Sequence, residues 1–238
     1  TKMNSEVQKI VEDYDFGSVI FFANNIKETE QSYNLTMDLQ KAATKDNGIP
    51  LLISADQEGG SVYRLGSGTA LPGHMALGAT GDVNNAKIAG EIIGSELSSL
   101  GINTNLAPVV DVNNNPSNPV IGLRSYGDDA EMVGKMASAE IEGLAEYNVI
   151  GCAKHFPGHG DVATDSHYGL PIVNKSKEEL LNNELKPYQV AINQGIEMIM
   201  SAHILYPQLD NTTVYSEKTK QQEKLPSTLS HKILTNLL

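Results

Sequence analysis

The sequence predicts an α/β fold of parallel strands with helices outside them, laid out in the manner of a (β/α) barrel. Three observations predict it. Short apolar runs alternate with amphipathic stretches of helical length, the pattern of repeated strand–helix units. The runs are apolar throughout rather than alternating, as strands covered on both faces are. Each run then ends in a polar group: Asn24-Asn25, Asp56-Gln57-Glu58, Asp111, Lys154-His155 and His203. Polar chemistry gathered at the C-terminal ends of strands is the layout of a barrel's active face. An open, doubly wound sheet places its sites there too. No GxGxxG or Walker sequence follows any of the runs, however, which weakens a nucleotide-binding reading.

In chain order, strands are expected at residues 18–23, 50–54, 104–110, 149–153 and 197–201. Asp82 reads as an N-cap, with Ala89, Ile93, Leu97 and Leu100 on one helical face and Gly101 as the stop. Asp128 opens the next helix, striped by Val133, Ala137, Ile141 and Leu144 and ending near Asn148. Ser176 and Glu179 have the spacing of a capping box. Leu181, Leu185, Tyr188 and Ile192 then form a stripe that Gly195 closes. A last helix is expected over 227–238. Three loops rich in Gly, Pro and Asn (59–81, 113–127 and 156–175) are long enough to suggest function. The count comes to five strand–helix units, whereas a closed barrel has eight.

Bulk composition excludes several classes. A chain of 238 residues can bury a substantial core as one domain. Asp and Glu outnumber Lys and Arg by 29 to 17, a net charge of −12. A nucleic-acid partner needs the opposite surplus and is not expected. No apolar run approaches the roughly 20 residues that span a bilayer. The single Cys152 sits in an apolar run, so no internal disulfide can form. Composition does not choose between a cytoplasmic and a secreted or cell-envelope location, nor does it set the oligomeric state.

The densest chemistry is Lys154-His155-Phe156-Pro157-Gly158-His159-Gly160-Asp161 followed by Asp165-Ser166-His167. Asp165 and His167 are two apart, so in an extended segment carboxylate and imidazole project to the same side. A carboxylate beside an imidazole selects its tautomer and raises its proton affinity from about 6.5. That suits general acid–base work near neutrality. Lys154 and His155 are adjacent and would point apart in a regular strand, unless the chain twists at the strand end. Asp56, Arg124, Lys154 and His155 at neighbouring strand ends would make a cage for a sugar ring, offering charge-assisted hydrogen bonds to vicinal hydroxyls. Singly, each is more often structural. His155, His159, Asp161, Asp165 and His167 are also metal-ligand types. Their spacing in a Gly/Pro loop does not force convergence as HExxH on a helix does, so neither a metal nor any other cofactor is expected.

The run Lys154 to His167, K-H-F-P-G-H-G-D-x-x-x-D-S-H, resembles the signature of family 3 glycoside hydrolases, in particular their β-N-acetylglucosaminidase branch. Supporting blocks are Asp56-Gln57-Glu58-Gly59-Gly60, Leu106-Ala107-Pro108-Val109-Val110-Asp111-Val112, Gly122-Leu123-Arg124-Ser125-Tyr126 and Met200-Ser201-Ala202-His203. They follow the family's order from about residue 17 to 238. The resemblance implies a TIM-type barrel. It also implies hydrolysis, with retention, of terminal β-linked N-acetylglucosamine in cell-wall fragments or chitooligosaccharides. It carries over Asp56, Arg124, Lys154 and His155 as sugar-binding residues, with His203 in the last block beside them. Asp165 and His167 carry over as the acid/base pair, in place of the acid of the usual two-carboxylate scheme. The β-glucosidase relatives lack the D-S-H loop, which favours the aminosugar. Ser61 stands where the family often has Arg, and Val162 where Thr is common.

The family's nucleophile, an Asp after the helix that begins near Ser230, is expected beyond residue 238, and the first barrel strand before Thr1. The chain therefore reads as one barrel domain truncated at both ends, from about strand 2 to helix 6, with these 238 residues inactive alone. Two alternatives stay open. A His acid/base repels phosphate less than a carboxylate would, which leaves room for phosphorolysis. A non-enzymatic sugar-binding module is the other.

Overall fold

Five parallel strands form the centre of the computed structural model, which describes residues 1–46, 48–163 and 170–238. They are β1 (Ser18–Phe21), β2 (Leu52–Ala55), β3 (Thr104–Asn105), β4 (Ile150–Phe156) and β5 (Met198–Ser201), hydrogen-bonded side by side in chain order. That order separates the two sheet classes left open by the strand-end chemistry. A doubly wound sheet reverses its strand order at the ligand crevice. Right-handed crossovers that always step the same way put every helix on one face and curl the sheet into part of a barrel. The structure is five strands of an incomplete (β/α) barrel.

The helices are α1 (Ser5–Tyr14), α2 (Thr29–Ala43), α3 (His74–Gly78), α4 (Val83–Ser99), α5 (Ala130–Ala145), α6 (Lys177–Asn182), α7 (Lys186–Asn193) and α8 (His231–Leu234). Asp82 caps α4 by accepting from the Asn84 N–H. The cap of α5 is Asp129 rather than Asp128. Asn148 beyond α5 is left-handed, at φ 56°, a conformation Asn tolerates better than most residues. Helices α4 and α5 pack backbone to backbone. A Cβ on Gly143 would lie 2.3 Å from the Lys87 carbonyl oxygen, so only glycine permits that approach. One apolar core joins α2 and α4 to β1 and β2 through Phe21, Leu35, Leu39, Ile53, Ile93 and Leu97. The other joins α5 and α7 to β4 through Val133, Met136, Ala153, Tyr188 and Ala191.

Further expectations are corrected. Strand β3 is two residues long, not seven: Pro108 has no N–H for the ladder, and beyond it the pairing with β4 is the isolated Val109–Lys154 bridge. The second strand begins two residues later than expected. The stripe over 181–192 is not one helix: the Ser176–Glu179 capping box starts α6, and Pro187 sits in the first turn of α7. Leu180, Leu185, Tyr188 and Ala191 are buried there, while Leu181 and Ile192 are exposed. The C-terminal helix is a 3-10 turn, Ser227–Leu229, followed by the single-turn α8 capped by Ser230. The hairpin of β6 (Thr213–Ser216) and β7 (Gln221–Lys224) was not expected. It lies largely in solvent and carries no apolar alternation. Among the described residues no helix is long and apolar enough to cross a membrane.

Candidate active site

The carboxyl ends of the strands converge on one cavity of about 540 Å³. Strand β2 runs out into Asp56 and Glu58, β4 ends in Lys154 and His155, and β5 leads to Met200 through His203. Arg124, in the 3-10 turn Gly122–Arg124, comes from the long loop after β3. Phe22, Arg64 and His159 complete much of the wall.

A buried ion cluster forms its floor. Lys154 Nζ, on a side chain almost wholly buried, lies 2.6 Å from Glu58 Oε1 and 2.8 Å from Asp56 Oδ1. Arg124 grips the same Glu58 with both arms of its fork, Nη2 at 2.8 Å from Oε1 and Nε at 2.9 Å from Oε2. Burial opposes ionisation of Glu58 more than any single favourable contact. The Arg124 hydrogen bonds and the charges of Lys154 and Arg124 together outweigh it and hold the carboxyl at about 2. Asp56 also faces Arg64 at 3.9 Å. Paired in this way, the long cationic chains are held at defined places instead of sampling rotamers, as a pre-organised binding wall requires.

A second cluster orients His155. Asp111 is buried and accepts from His155 Nδ1 at 2.7 Å, and from the backbone N–H groups of His155 and His159 at 3.2 and 2.7 Å. An ionised carboxylate only accepts, so Nδ1 carries the proton and the neutral ring keeps its lone pair on Nε2. The rings of His155 and His159 meet edge-on, 5.6 Å apart. Burial holds the His159 imidazole below its ordinary value, against the pull of Asp111. The Lys154–His155 peptide is cis, and both side chains line the cavity. His203, on the same wall, has Nδ1 3.1 Å from Thr228 Oγ1.

Asp56, Arg124, Lys154, His155 and His203 all line this one cavity. Asp165 and His167 lie outside the described residues. Flanking 164–169 on either side, Asp161 and Lys175 are paired at 3.3 Å. Lys175 also pairs with the buried Glu184, which accepts from Asn114 Nδ2 at 2.6 Å. Sequence reasoning missed the roles of Glu58 and Asp111 as the anions that organise the two clusters. Both were visible as polar strand ends. Nothing local says that Glu58 bridges Lys154 and Arg124, which are distant in the chain.

The glycosyl hydrolase family 3 N terminal domain matches residues 1–238. Beta-hexosaminidase A of Pseudoalteromonas piscicida is 42% identical over all of this chain and 41% of its own length. A beta-hexosaminidase of Neisseria meningitidis is 36% identical over 88% of this chain and 59% of its own. The chain therefore spans about half the length of these curated relatives. Among solved structures, a glycoside hydrolase family 3 beta-N-acetylglucosaminidase from Paenibacillus sp. superposes with TM-score 0.92 at 43% identity, over 99% of this chain and 43% of that one. NagZ from Neisseria gonorrhoeae, in complex with N-trifluoroacetyl-D-glucosamine, superposes at 0.87 and 32% identity, over 99% and 67%. The ion-paired cavity at the strand ends, the sequential parallel sheet and these matches agree: the chain belongs to glycosyl hydrolase family 3 and carries its N-terminal domain.

Proposed function

We propose that the protein is a retaining exo-β-N-acetylglucosaminidase that removes terminal β-linked N-acetylglucosamine from cell-wall fragments or chitooligosaccharides. The observation that carries this reading is the cavity wall, where Asp56, Arg124, Lys154 and His155 meet on one face with their charges already paired. Such a wall offers fixed, charge-assisted donors and acceptors to vicinal hydroxyls. The kinship with beta-hexosaminidases supports the same substrate class.

In this reading Asp56, Arg124, Lys154, His155 and His203 hold the sugar. Asp165 orients His167, which protonates the leaving oxygen and then activates water. Retention also needs a nucleophile. Asp56 and Glu58, the carboxylates of the described cavity wall, are both committed to cations, so the nucleophile is assigned to neither.

In the intact protein, p-nitrophenyl N-acetyl-β-D-glucosaminide should be cleaved and the corresponding glucoside much less. His167→Ala should slow turnover by about 10²–10⁴-fold, the range for general acid–base catalysis. The loss should shrink for substrates with good leaving groups, which need little protonation. Equal losses across leaving groups would sink the acid/base role. In phosphate buffer the product should be free sugar, and sugar 1-phosphate would instead identify a phosphorylase.

A further inference from the structure

Behind the cavity wall lies a buried polar cluster that the proposed reaction does not use. His74 opens α3 and is almost wholly enclosed. Its Nδ1 is 2.7 Å from the backbone carbonyl oxygen of Arg124. Its Nε2 is within ion-pair distance, 3.1 Å, of Glu140 Oε2 on α5. The Tyr126 hydroxyl donates to that same Glu140 oxygen, and the Tyr126 and His74 rings stack at 4.4 Å. Glu140 has no exposed surface.

Proton counting constrains this cluster. A carbonyl oxygen only accepts, so Nδ1 must carry a hydrogen. The ring then faces a carboxyl with its other nitrogen, Nε2 lying at ion-pair distance from Glu140. Burial disfavours charge on the imidazole, yet Glu140 outweighs it and raises the His74 pKa, with Glu58 contributing. The ring therefore sits between Glu140 on α5 and the turn that carries Arg124, hydrogen-bonded to the latter.

Ser125 fastens that turn on one side, its Oγ donating to the Asp111 carbonyl oxygen at 2.6 Å. Leu123 is 74% exposed and contributes little packing. A second cavity of about 320 Å³, lined by Gly59, Gly60, Met75, Ala79 and Leu123, opens directly behind Arg124 and Glu58. Helix α3 itself sits hard against the segment: a Cβ on Gly78 would fall 1.8 Å from the Tyr126 carbonyl oxygen. We propose that His74 is a positioning residue for Arg124, its Nδ1–H holding the Arg124 carbonyl from a seat on Glu140 so that the guanidinium keeps its two-armed grip on Glu58 at the sugar cavity. The inference rests on the proposed sugar-binding role of Arg124.

Two isosteric variants of the intact protein separate the two ends of the ring. His74→Asn keeps an N–H donor at the Nδ1 place, and His74→Gln keeps one at the Nε2 place. His74→Asn should leave KM for p-nitrophenyl N-acetyl-β-D-glucosaminide within about threefold. His74→Gln should raise it roughly tenfold or more, the scale of one lost orienting hydrogen bond, with kcat less affected and a similar Tm. Crystal structures should show Arg124 on Glu58 in the first variant and displaced in the second. Equal KM in both variants, or KM changes that simply follow Tm, overturns the proposal. If the unaltered protein does not cleave the glycoside, the enzymatic reading fails, and the two crystal structures still decide the role of His74. Whether or not the variants fold, ¹⁵N spectra of the unaltered protein must show His74 Nδ1 protonated, and an unprotonated Nδ1 overturns it.

Discussion

Glu58 concentrates the site's electrostatics in one carboxylate. Its pKa falls from 4.5 to about 2, so the folded state holds its charge more tightly than the unfolded chain does. The sign follows from that depression. The stabilisation is fully present above about 4.5 and is lost as pH falls through about 2. The shift is worth on the order of 3 kcal/mol. Unfolding measured against pH should therefore show stability eroding below pH 4.5 in the native protein and a flatter profile in Glu58→Gln. At neutral pH that variant should be less stable by about 3–5 kcal/mol, because Lys154 and Arg124 remain buried without their shared counter-charge. Parallel profiles for the two proteins would show that Glu58 is not the group being titrated.

Elements deliver these residues by simple devices. The sheet supplies strand ends at fixed lateral spacing, about 4.8 Å per strand, so Asp56 after β2 and Lys154 in β4 can meet across the intervening β3. The loops need their own fastenings. Lys175 ties Asp161 to Glu184. Lys175→Met should cost about 3–5 kcal/mol, since it strands the buried Glu184 carboxylate. Adding Glu184→Gln should restore part of that loss. A double-mutant cycle by urea unfolding checks it, and strict additivity would show that the pair is not coupled.

At the scale of the molecule, sequential strand order and one-sided helices leave β1 and β5 as the edge strands of the described sheet. Ile20 in β1 and Phe22 just after it are exposed at one edge, and β5 is only partly buried at the other. The committed carboxylates of the cavity wall lead to an expectation for the 238-residue polypeptide prepared alone. It should bind N-acetylglucosamine, seen by calorimetry, and turn over no p-nitrophenyl glycoside. Turnover at the rate of the intact protein would place the nucleophile within these residues.

The sequence by itself determined the fold class, the cap residues Asp82 and Ser176, and the strand ends where chemistry collects. Those features rest on local propensity and on periodicity, which are written in neighbouring residues. It also marked Asp56, Arg124, Lys154, His155 and His203 singly. Only the tertiary structure decided that Glu58 pairs Lys154 with Arg124, that Asp111 selects the His155 tautomer, and that His74 reaches the Arg124 carbonyl. Each of these is a contact between residues far apart in the chain. Its energy comes from burial that takes both partners out of water, and no local pattern encodes which buried anion will face which cation.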